Sequence, residues 1–468
     1  MTEQEHHSTK PEDRVSLIQR LGIGVGGFPA FTGGLCVQTL AQPIFQIVMG
    51  LNPVLFGVAM TIPRLLDAFT DPLIGRWSDR SASRFGRRRP FIFVGSIVMA
   101  ITFALIWFAS PSWGNVALFL WLTTTSILFY LAYAIFVVPL TSLTYEVTPD
   151  YHERTRFMAF WATFSMIAGL VMNFYAPAAQ WEGFGSPVIG TRWVALGISV
   201  VVFAGLGIIP AMVAKERFGT RRSSDTEIGF IEAIRQAVSS KPLLLLIAVI
   251  FALNFCGTIA GSLAQYVVIY HVLDGDIKAG IALNALNGVC YSIIGFITIP
   301  LTAWIGTRIG KRRTVQLALV LSSLGGIGKW VLVTPSHPYL LLFDSLLSGP
   351  LWATIGVLIP SMMADLCDYD ELEHGERREG VIGAVFAWIT KVGLSFTFLF
   401  SGLVLQFSGF DQSIKLQSPH TITIMRLFFA GASFAAPIFA IICLHYYSIT
   451  EARAYEIRSL LERRRGVL

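Results

Sequence analysis

The sequence predicts an all-α polytopic membrane protein: twelve transmembrane helices in a six-plus-six pseudo-repeat. Three observations carry the prediction. Of 468 residues only 14% are charged and 54% are hydrophobic, against about 25% charged in an ordinary soluble domain, and mean hydropathy is +0.63. The apolar residues come in blocks, each close to the roughly 20 residues that cross a bilayer. Two loop patterns also recur about half a chain apart.

Taken in order, the spans fall at about 22–48 and 54–74, then at 91–109, 117–138, 157–178 and 193–214. A second set follows at 243–271, 280–305, 314–334, 338–364, 380–407 and 422–447. Backbone polar groups in lipid must be satisfied within the segment, so long apolar runs read as helices. The domain organisation expected is a cytoplasmic tail at 1–20, a six-helix bundle at 21–214, a linker at 215–241, a second bundle at 242–448 and a tail at 449–468. The linker is polar and charged, with a short amphipathic helix expected at 226–239. Residues 1–20 lack an apolar core, so no cleavable signal peptide is expected.

The repeat rests on paired loops. Residues 75–89 read GRWSDRSASRFGRRR and 306–313 read GTRIGKRR, with Gly86 and Gly310 224 residues apart. Residues 147–156 read VTPDYHERTR and 365–378 read DLCDYDELEHGERR, with their Asp-Tyr pairs 218 apart. Two different motifs in matching order, in equivalent loops, are the mark of a parallel repeat.

Charge placement orients the chain. Arginines crowd the loops between spans 2 and 3, 4 and 5, 6 and 7, and 8 and 9, and the C-terminal tail. The opposite loops hold only Arg192, Lys278 and Lys415. Positive charge marks the cytoplasmic side, so the chain is expected to be a multi-pass protein of the cell (inner) membrane with both termini in the cytoplasm. The basic runs are short and locked between spans, which argues against nucleic acid as a partner. The expected partners are the bilayer and a small-molecule substrate, with a functional monomer. The five cysteines are scattered, with no metal spacing, and read as small buried apolar residues. No cofactor is expected beyond a coupling ion, H+ or Na+.

Ionisable groups at membrane depth are costly and usually functional. Span 2 reads TIPRLLDAFTDPLIG, where Arg64, Asp67 and Asp71 are spaced three and four apart and share one helical face. Two carboxylates on one face bind a small cation, Na+ included, or share a proton, with Arg64 as a charge partner. The bland alternative is an ion-pair cluster that only joins helices. Lys391 stands in an otherwise apolar run in span 11 and needs a carboxylate, for which Asp67 and Asp71 are the natural candidates. Lys329 in span 9 either faces the cavity or snorkels, and Arg426 in span 12 reads as snorkelling. Asp79, Arg80, Arg87, Asp150, Glu153, Arg154, Asp365 and Asp368 form a set of cytoplasmic gate or latch residues. Gln38 and Gln42 (with Gln46, on one face), Tyr133, Trp161 and Trp388 are candidate substrate contacts, though amides and hydroxyls serve interhelical bonding equally well.

The string DAFTDPLIGRWSDRSASRFGRRRPFI at 67–92 resembles the glycoside-pentoside-hexuronide:cation symporter family, which includes melibiose permease and lies within the major facilitator superfamily. VTPDYHERTR is similar to its loop 4–5 signature, and MMADLCDYDELEHGERREG at 362–380 with Lys391 to its helix 10–11 signature. The resemblance spans the whole chain. It implies that Asp67 and Asp71 are cation-site carboxylates and that Arg64 and Lys391 sit beside them. It also marks departures. Melibiose permease carries a sugar-binding Asp in helix 1, an Asp in helix 4 that serves both sugar and cation, and a sugar-binding Arg in helix 5; at those places this chain has Phe31, Val137 and Ala162, so the cation site has one carboxylate fewer. A simple galactoside is therefore not the expected ligand, and the loss of an acid favours the proton over sodium.

The function expected is secondary active, cation-coupled symport of a sugar or glycoside by alternating access. The alternative is symport of an amphipathic solute such as a lysolipid. A non-transporting sensor lacks an output domain, and an enzyme lacks any nucleophile–base constellation on a helix face.

Overall fold

In the computed structural model, twelve helices among the described residues are long and apolar enough to cross a membrane, which matches the number of spans expected. The structure describes residues 15–81, 83–147, 151–214, 240–374, 379–411, 414 and 416–464. The expected helix at 226–239, Asp150 and the side chain of Arg154 lie outside the described set. The chain divides into two compact units, Met1–Asn52 with Ile62–Ser224, and Pro53–Thr61 with Asp225–Leu468.

The first unit contains α1 (Leu17–Gly24), α2 (Gly27–Ala41), α3 (Pro53–Arg80, whose opening residues Pro53–Thr61 group with the second unit), α4 (Arg89–Ile106) and α5 (Asn115–Glu146). It continues with α6 (Tyr151–Met172), α7 (Tyr175–Ala179), α8 (Pro187–Gly197) and α9 (Gly207–Val213). Span 1 is not one α-helix. Pro43 has no N–H to give to the ladder, and Gln42–Val48 winds as a π-helix instead. Another π segment, Ile198–Leu206, joins α8 to α9.

The second unit holds α10 (Lys241–Val267), α11 (Ile277–Ile309), α12 (Lys311–Leu332), α13 (Asp344–His374), α14 (Glu379–Phe407), α15 (Pro419–His445) and α16 (Glu451–Arg464). Two elements lie in stretches expected to be tails. The first helix starts at Leu17, where the Ser16 hydroxyl caps it by accepting from the Gln19 N–H at 3.3 Å. At the other end, α16 is too charged to register by hydropathy. Its Ile457 and Leu461, one turn apart, are nevertheless buried in the core of the second unit.

The loop repeat has a structural counterpart inside each unit. Gly86 and Gly310, the paired turn glycines, both take positive φ, 106° and 84°, where any side chain is strained. Just after each, an arginine opens a helix and satisfies the carbonyls that end another. Arg89 donates to the Ala211 carbonyl at 2.6 Å and that of Met212 at 3.3 Å, closing α9. Arg312 donates to the carbonyls of His445 at 2.7 Å and Tyr447 at 3.1 Å, closing α15. The opposite ends are clamped in the same way. Arg192 of α8 donates to the carbonyls of Trp107 and Ala109 at 3.1 and 2.9 Å, beyond the end of α4. Arg426 of α15 donates to the Trp330 carbonyl of α12 at 2.6 Å and lies 4.6 Å from the centre of that indole. Arg426 is therefore a C-cap rather than a snorkelling side chain: the last carbonyls of α12 lack helical partners, and it supplies one.

Close backbone approach completes each unit. A Cβ on Gly95 of α4 would lie 2.7 Å from the Phe136 nitrogen of α5, and one on Gly326 of α12 would lie 2.6 Å from the Phe434 nitrogen of α15. Small residues allow such contacts where apolar surroundings supply no hydrophobic drive between helices.

Arg312→Ala leaves two terminal carbonyls short of a donor, at about 1–3 kcal/mol for each that stays dry. The expected outcome is a fall of several degrees in the thermal midpoint of the detergent-purified protein. Arg312→Lys should recover only part of it, because an ammonium cannot fork across two carbonyls. An unchanged midpoint in Arg312→Ala would refute the clamp.

Candidate functional site

Arg64, Asp67 and Asp71 form one charged cluster, in the first unit, and Lys329 belongs to another, in the second. In the first unit, α3 runs unbroken past Pro63 and Pro72, so Arg64, Asp67 and Asp71 do share a face of one continuous helix. Asp67 is buried, at 2% exposure, and Asp71 and Arg64 are half-buried. The Arg64 guanidinium donates to the Gly34 carbonyl of α2 and lies 4.5 Å from the centre of the Tyr130 ring of α5. Asp67, Arg64 and Asp71 all lie close to the Tyr133 phenol. That phenol donates to the Ala30 carbonyl at 2.9 Å. A Cβ on Gly33 would lie 2.6 Å from the Tyr133 ring, so the glycine is what lets the ring lie against α2. The result is two carboxylates held among aromatic rings, with an arginine bound to backbone beside them. Among the described residues no group of three His, Cys, Asp or Glu side chains could hold a metal ion. A cation at Asp67 and Asp71 would take its remaining ligands from carbonyl, hydroxyl or water oxygens.

The second cluster is an ion pair that sequence reasoning half found. Lys329 of α12 does not snorkel: it is 8% exposed and lies 3.3 Å from the Asp344 carboxylate at the start of α13. Its ammonium also donates to the Ser433 hydroxyl at 2.9 Å and sits 5.0 Å from the centre of the Phe429 ring. Asp344, 1% exposed, accepts from the Tyr291 phenol and from the Ser348 hydroxyl at 2.8 Å. Its place in the first turn of α13 adds the favourable end of a helix dipole. Asp344 was missed. The signal for it was available, since an intramembrane lysine needs an acid and Asp344 is the next one along the chain. The pair borders a cavity of about 240 Å3 within the second unit, whose wall also includes Asn284, Asn287 and Trp352.

The other expected site residues are placed as follows. Gln38 and Gln42 are half-buried and Gln46 is buried at 2%, where the π segment carries it into the core. Trp161 lies against Gly27, whose Cβ would be 2.6 Å from the Trp161 carbonyl and 3.3 Å from the indole. Trp388 and Lys391 are half-buried on α14. Among the gate residues, Asp79 pairs with Arg88 at 2.9 Å and Arg87 at 4.0 Å, and Arg80 is exposed. Asp365 pairs with Lys311 at 2.6 Å, and Asp368 is half-buried on α13. Glu153 accepts from Arg20 at 2.7 Å, from Arg156 at 2.9 Å and from the Val15 N–H at 3.3 Å. Each of these ion pairs lies inside one unit.

The family model described as MFS/sugar transport protein matches residues 22–451. The chain is 26% identical over 464 residues to the uncharacterized symporter YnaJ of Bacillus subtilis (strain 168), covering 96% of each. It is 23% identical over 424 residues to the isoprimeverose transporter of Lactiplantibacillus pentosus, covering 87% of this chain and 86% of that one. It is also 23% identical over 493 residues to the sodium-dependent lysophosphatidylcholine symporter 1 of Gallus gallus, covering 96% and 90%. Its fold matches that of a bacterial homologue of the iron transporter ferroportin, with a TM-score of 0.65 at 15% identity over 93% of this chain and 100% of the other.

Glu153 gives a pH-dependent test of its anchoring role. Burial alone would raise its carboxyl; the Val15 N–H, Arg20 and Arg156 outweigh burial and hold it below its ordinary value of 4.5. A lowered folded value means stability that is present above 4.5 and lost as pH falls through the folded value. Thermal midpoints of wild type and Glu153→Gln should therefore differ most near neutrality and converge on acidification. A gap that widens below pH 4.5 would contradict the assignment.

Proposed function

The chain belongs to the MFS/sugar transport protein family, and on that footing we propose that it is a secondary active symporter that couples a cation, H+ or Na+, to the uptake of a sugar or glycoside by alternating access. One observation carries the coupling: Asp67, buried at 2% exposure, shares the face of a single membrane-length helix with Asp71 and Arg64. An ionised pair of carboxylates at that depth is costly unless a cation, a proton or a basic side chain neutralises it. In this reading the cation binds at Asp67 and Asp71, and Arg64 and Lys391 supply counter-charge when it leaves. With two carboxylates rather than three, the proton is the favoured ion.

The rest of the reading follows from charge and size. The arginine-rich turns at 75–89 and 306–313 face the cytoplasm, both termini lie on that side, and the protein works as a monomer in the inner membrane. The gate set, Asp79, Arg80, Arg87, Asp150, Glu153, Arg154, Asp365 and Asp368, latches the cytoplasmic side while the substrate site faces outward. The likeness to the isoprimeverose transporter supports a sugar. The likeness to the lysophosphatidylcholine symporter, over 96% of this chain, supports a second reading in which the cargo is a lysolipid.

Uptake into proteoliposomes tests both, with a panel of glycosides and lysophosphatidylcholine, and with sodium and pH gradients imposed separately. Glycoside accumulation driven by one gradient is expected, and accumulation of the lysolipid alone would select the second reading. Asp67→Asn and Asp71→Asn should each cut gradient-driven accumulation by about tenfold or more while sparing gradient-free exchange. If both variants accumulate like wild type, the coupling assignment fails.

A further inference from the structure

The cavity of the second unit carries a more specific reading, which rests on the proposal that the cargo is a sugar. We infer that this cavity, walled by the Lys329–Asp344 pair, Asn284, Asn287 and Trp352, is the site that recognises the substrate, and that its ligand is a neutral, hydroxyl-rich ring. Cation coupling and substrate recognition are then divided between the units, with the cation on α3 and the ring among α10, α11, α12, α13 and α15.

The charge balance sets the ligand class. Lys329 and Asp344 lie 3.3 Å apart and form a net-neutral pair in a largely apolar wall. A ligand bearing a carboxylate would leave the site with a net negative charge, and one bearing an ammonium would leave it positive. Either excess is poorly screened where water is scarce. A neutral polyol adds no net charge. One hydroxyl accepts from the ammonium while its neighbour donates to the carboxylate, and charge-assisted bonds of this kind are the strong ones. The hydroxyls of Ser433, Tyr291 and Ser348 hold the two charged groups in place through the contacts already described.

The remaining wall supplies what a sugar ring needs. The Asn284 amide donates to the Gly280 carbonyl at 3.0 Å, which fixes the orientation of its carboxamide. The Asn287 carboxamide oxygen is buried and accepts no hydrogen bond from the described residues. An acceptor left unspent at a cavity wall is what a ligand hydroxyl satisfies. Trp352, 44% exposed, offers an apolar face to ring C–H groups. Gly257 of α10 leaves that indole its place, since a Cβ there would lie 3.1 Å from the Trp352 Cζ2 atom. A cavity of about 240 Å3 has room for a single ring.

The test uses full-length protein in proteoliposomes and gradient-free counterflow of methyl glucoside, methyl galactoside and methyl xyloside as probes. Asn287→Ala and Trp352→Ala should raise the half-saturation concentration for the best probe by about tenfold, and Trp352→Phe should retain most of the affinity. In both alanine variants the ratio of gradient-driven to gradient-free uptake should stay at the wild-type value, whereas Asp67→Asn should show the opposite pattern. The charge argument adds that methyl glucuronoside, an anion, competes at least about tenfold less well than methyl glucoside. Wild-type half-saturation in both alanine variants, or a glucuronoside that competes as well as the neutral glycoside, overturns the inference and leaves the symport reading standing. If Trp352→Ala does not fold, Asn287→Ala and the competition assay decide alone. If wild type exchanges none of the glycosides but exchanges lysophosphatidylcholine, the sugar reading falls and this inference falls with it.

Discussion

Every backbone carbonyl at the end of a helix needs a donor, and a side chain provides one that does not depend on water. That constraint accounts for much of what this fold does with its arginines. Arg89 in the first unit, and Arg312 and Arg426 in the second, each reach from near the start of one helix to the last carbonyls of another, and Arg192 reaches carbonyls just past the end of α4. The clamped helices run antiparallel, so an arginine near the N-terminus of one is always within reach of the C-terminus of its partner. The same geometry sets the positive end of one helix dipole beside the negative end of the next, with a guanidinium added where negative potential accumulates. The repeated loop glycines belong to the same device. Gly86 and Gly310 turn the chain at positive φ immediately before the helix that bears the clamping arginine.

The charges that do not cap helices are handled differently in the two units. In the first, Arg64 spends its charge on the Gly34 carbonyl and the face of Tyr130, arrangements that keep a cation next to Asp67 and Asp71 without requiring it to bond to them. In the second, Lys329 and Asp344 neutralise each other and gather three hydroxyls besides. Taking two ions out of water costs several kcal/mol each, and a pair of apolar side chains fills the same space at no such cost. Stability alone gives little reason for a buried pair so fully bonded, and its position on a cavity wall fits the recognition role proposed for it.

How far the sequence alone reached follows the same division. The twelve spans were legible because hydropathy reports the need to satisfy backbone in lipid residue by residue, and the repeat because the clamp loops need particular residue types. The face shared by Arg64, Asp67 and Asp71 was legible because helical spacing alone sets it. What the sequence hid depends on neighbours distant along the chain. Arg426 looked like a snorkelling side chain because nothing local shows that the Trp330 carbonyl lies beside it. Lys329 was ambiguous for lack of a partner, and Asp344 was passed over at the edge of an apolar block. Helix α16 was read as tail because only two of its residues, Ile457 and Leu461, are buried. The π segment at Gln42–Val48 was signalled by Pro43, but not the way it buries Gln46.

The division of labour proposed for the two units has a thermodynamic consequence. A cation on α3 and a ring in the cavity of the second unit need share no contact in order to be coupled. Coupling requires only that both bind one global state better than the other, since each ligand shifts an equilibrium by its differential affinity and no more. Moving a carrier from about 1:99 to 99:1 takes roughly 5.5 kcal/mol of such difference in total. Neutralising a buried carboxylate pair and filling a cavity with charge-assisted hydrogen bonds are both terms large enough to contribute a share. Neither has to supply the whole, and a carrier in which either one did would switch without the other ligand and leak. Keeping the two sites on separate units is thus compatible with tight symport, provided that each site alone leaves the switch incomplete.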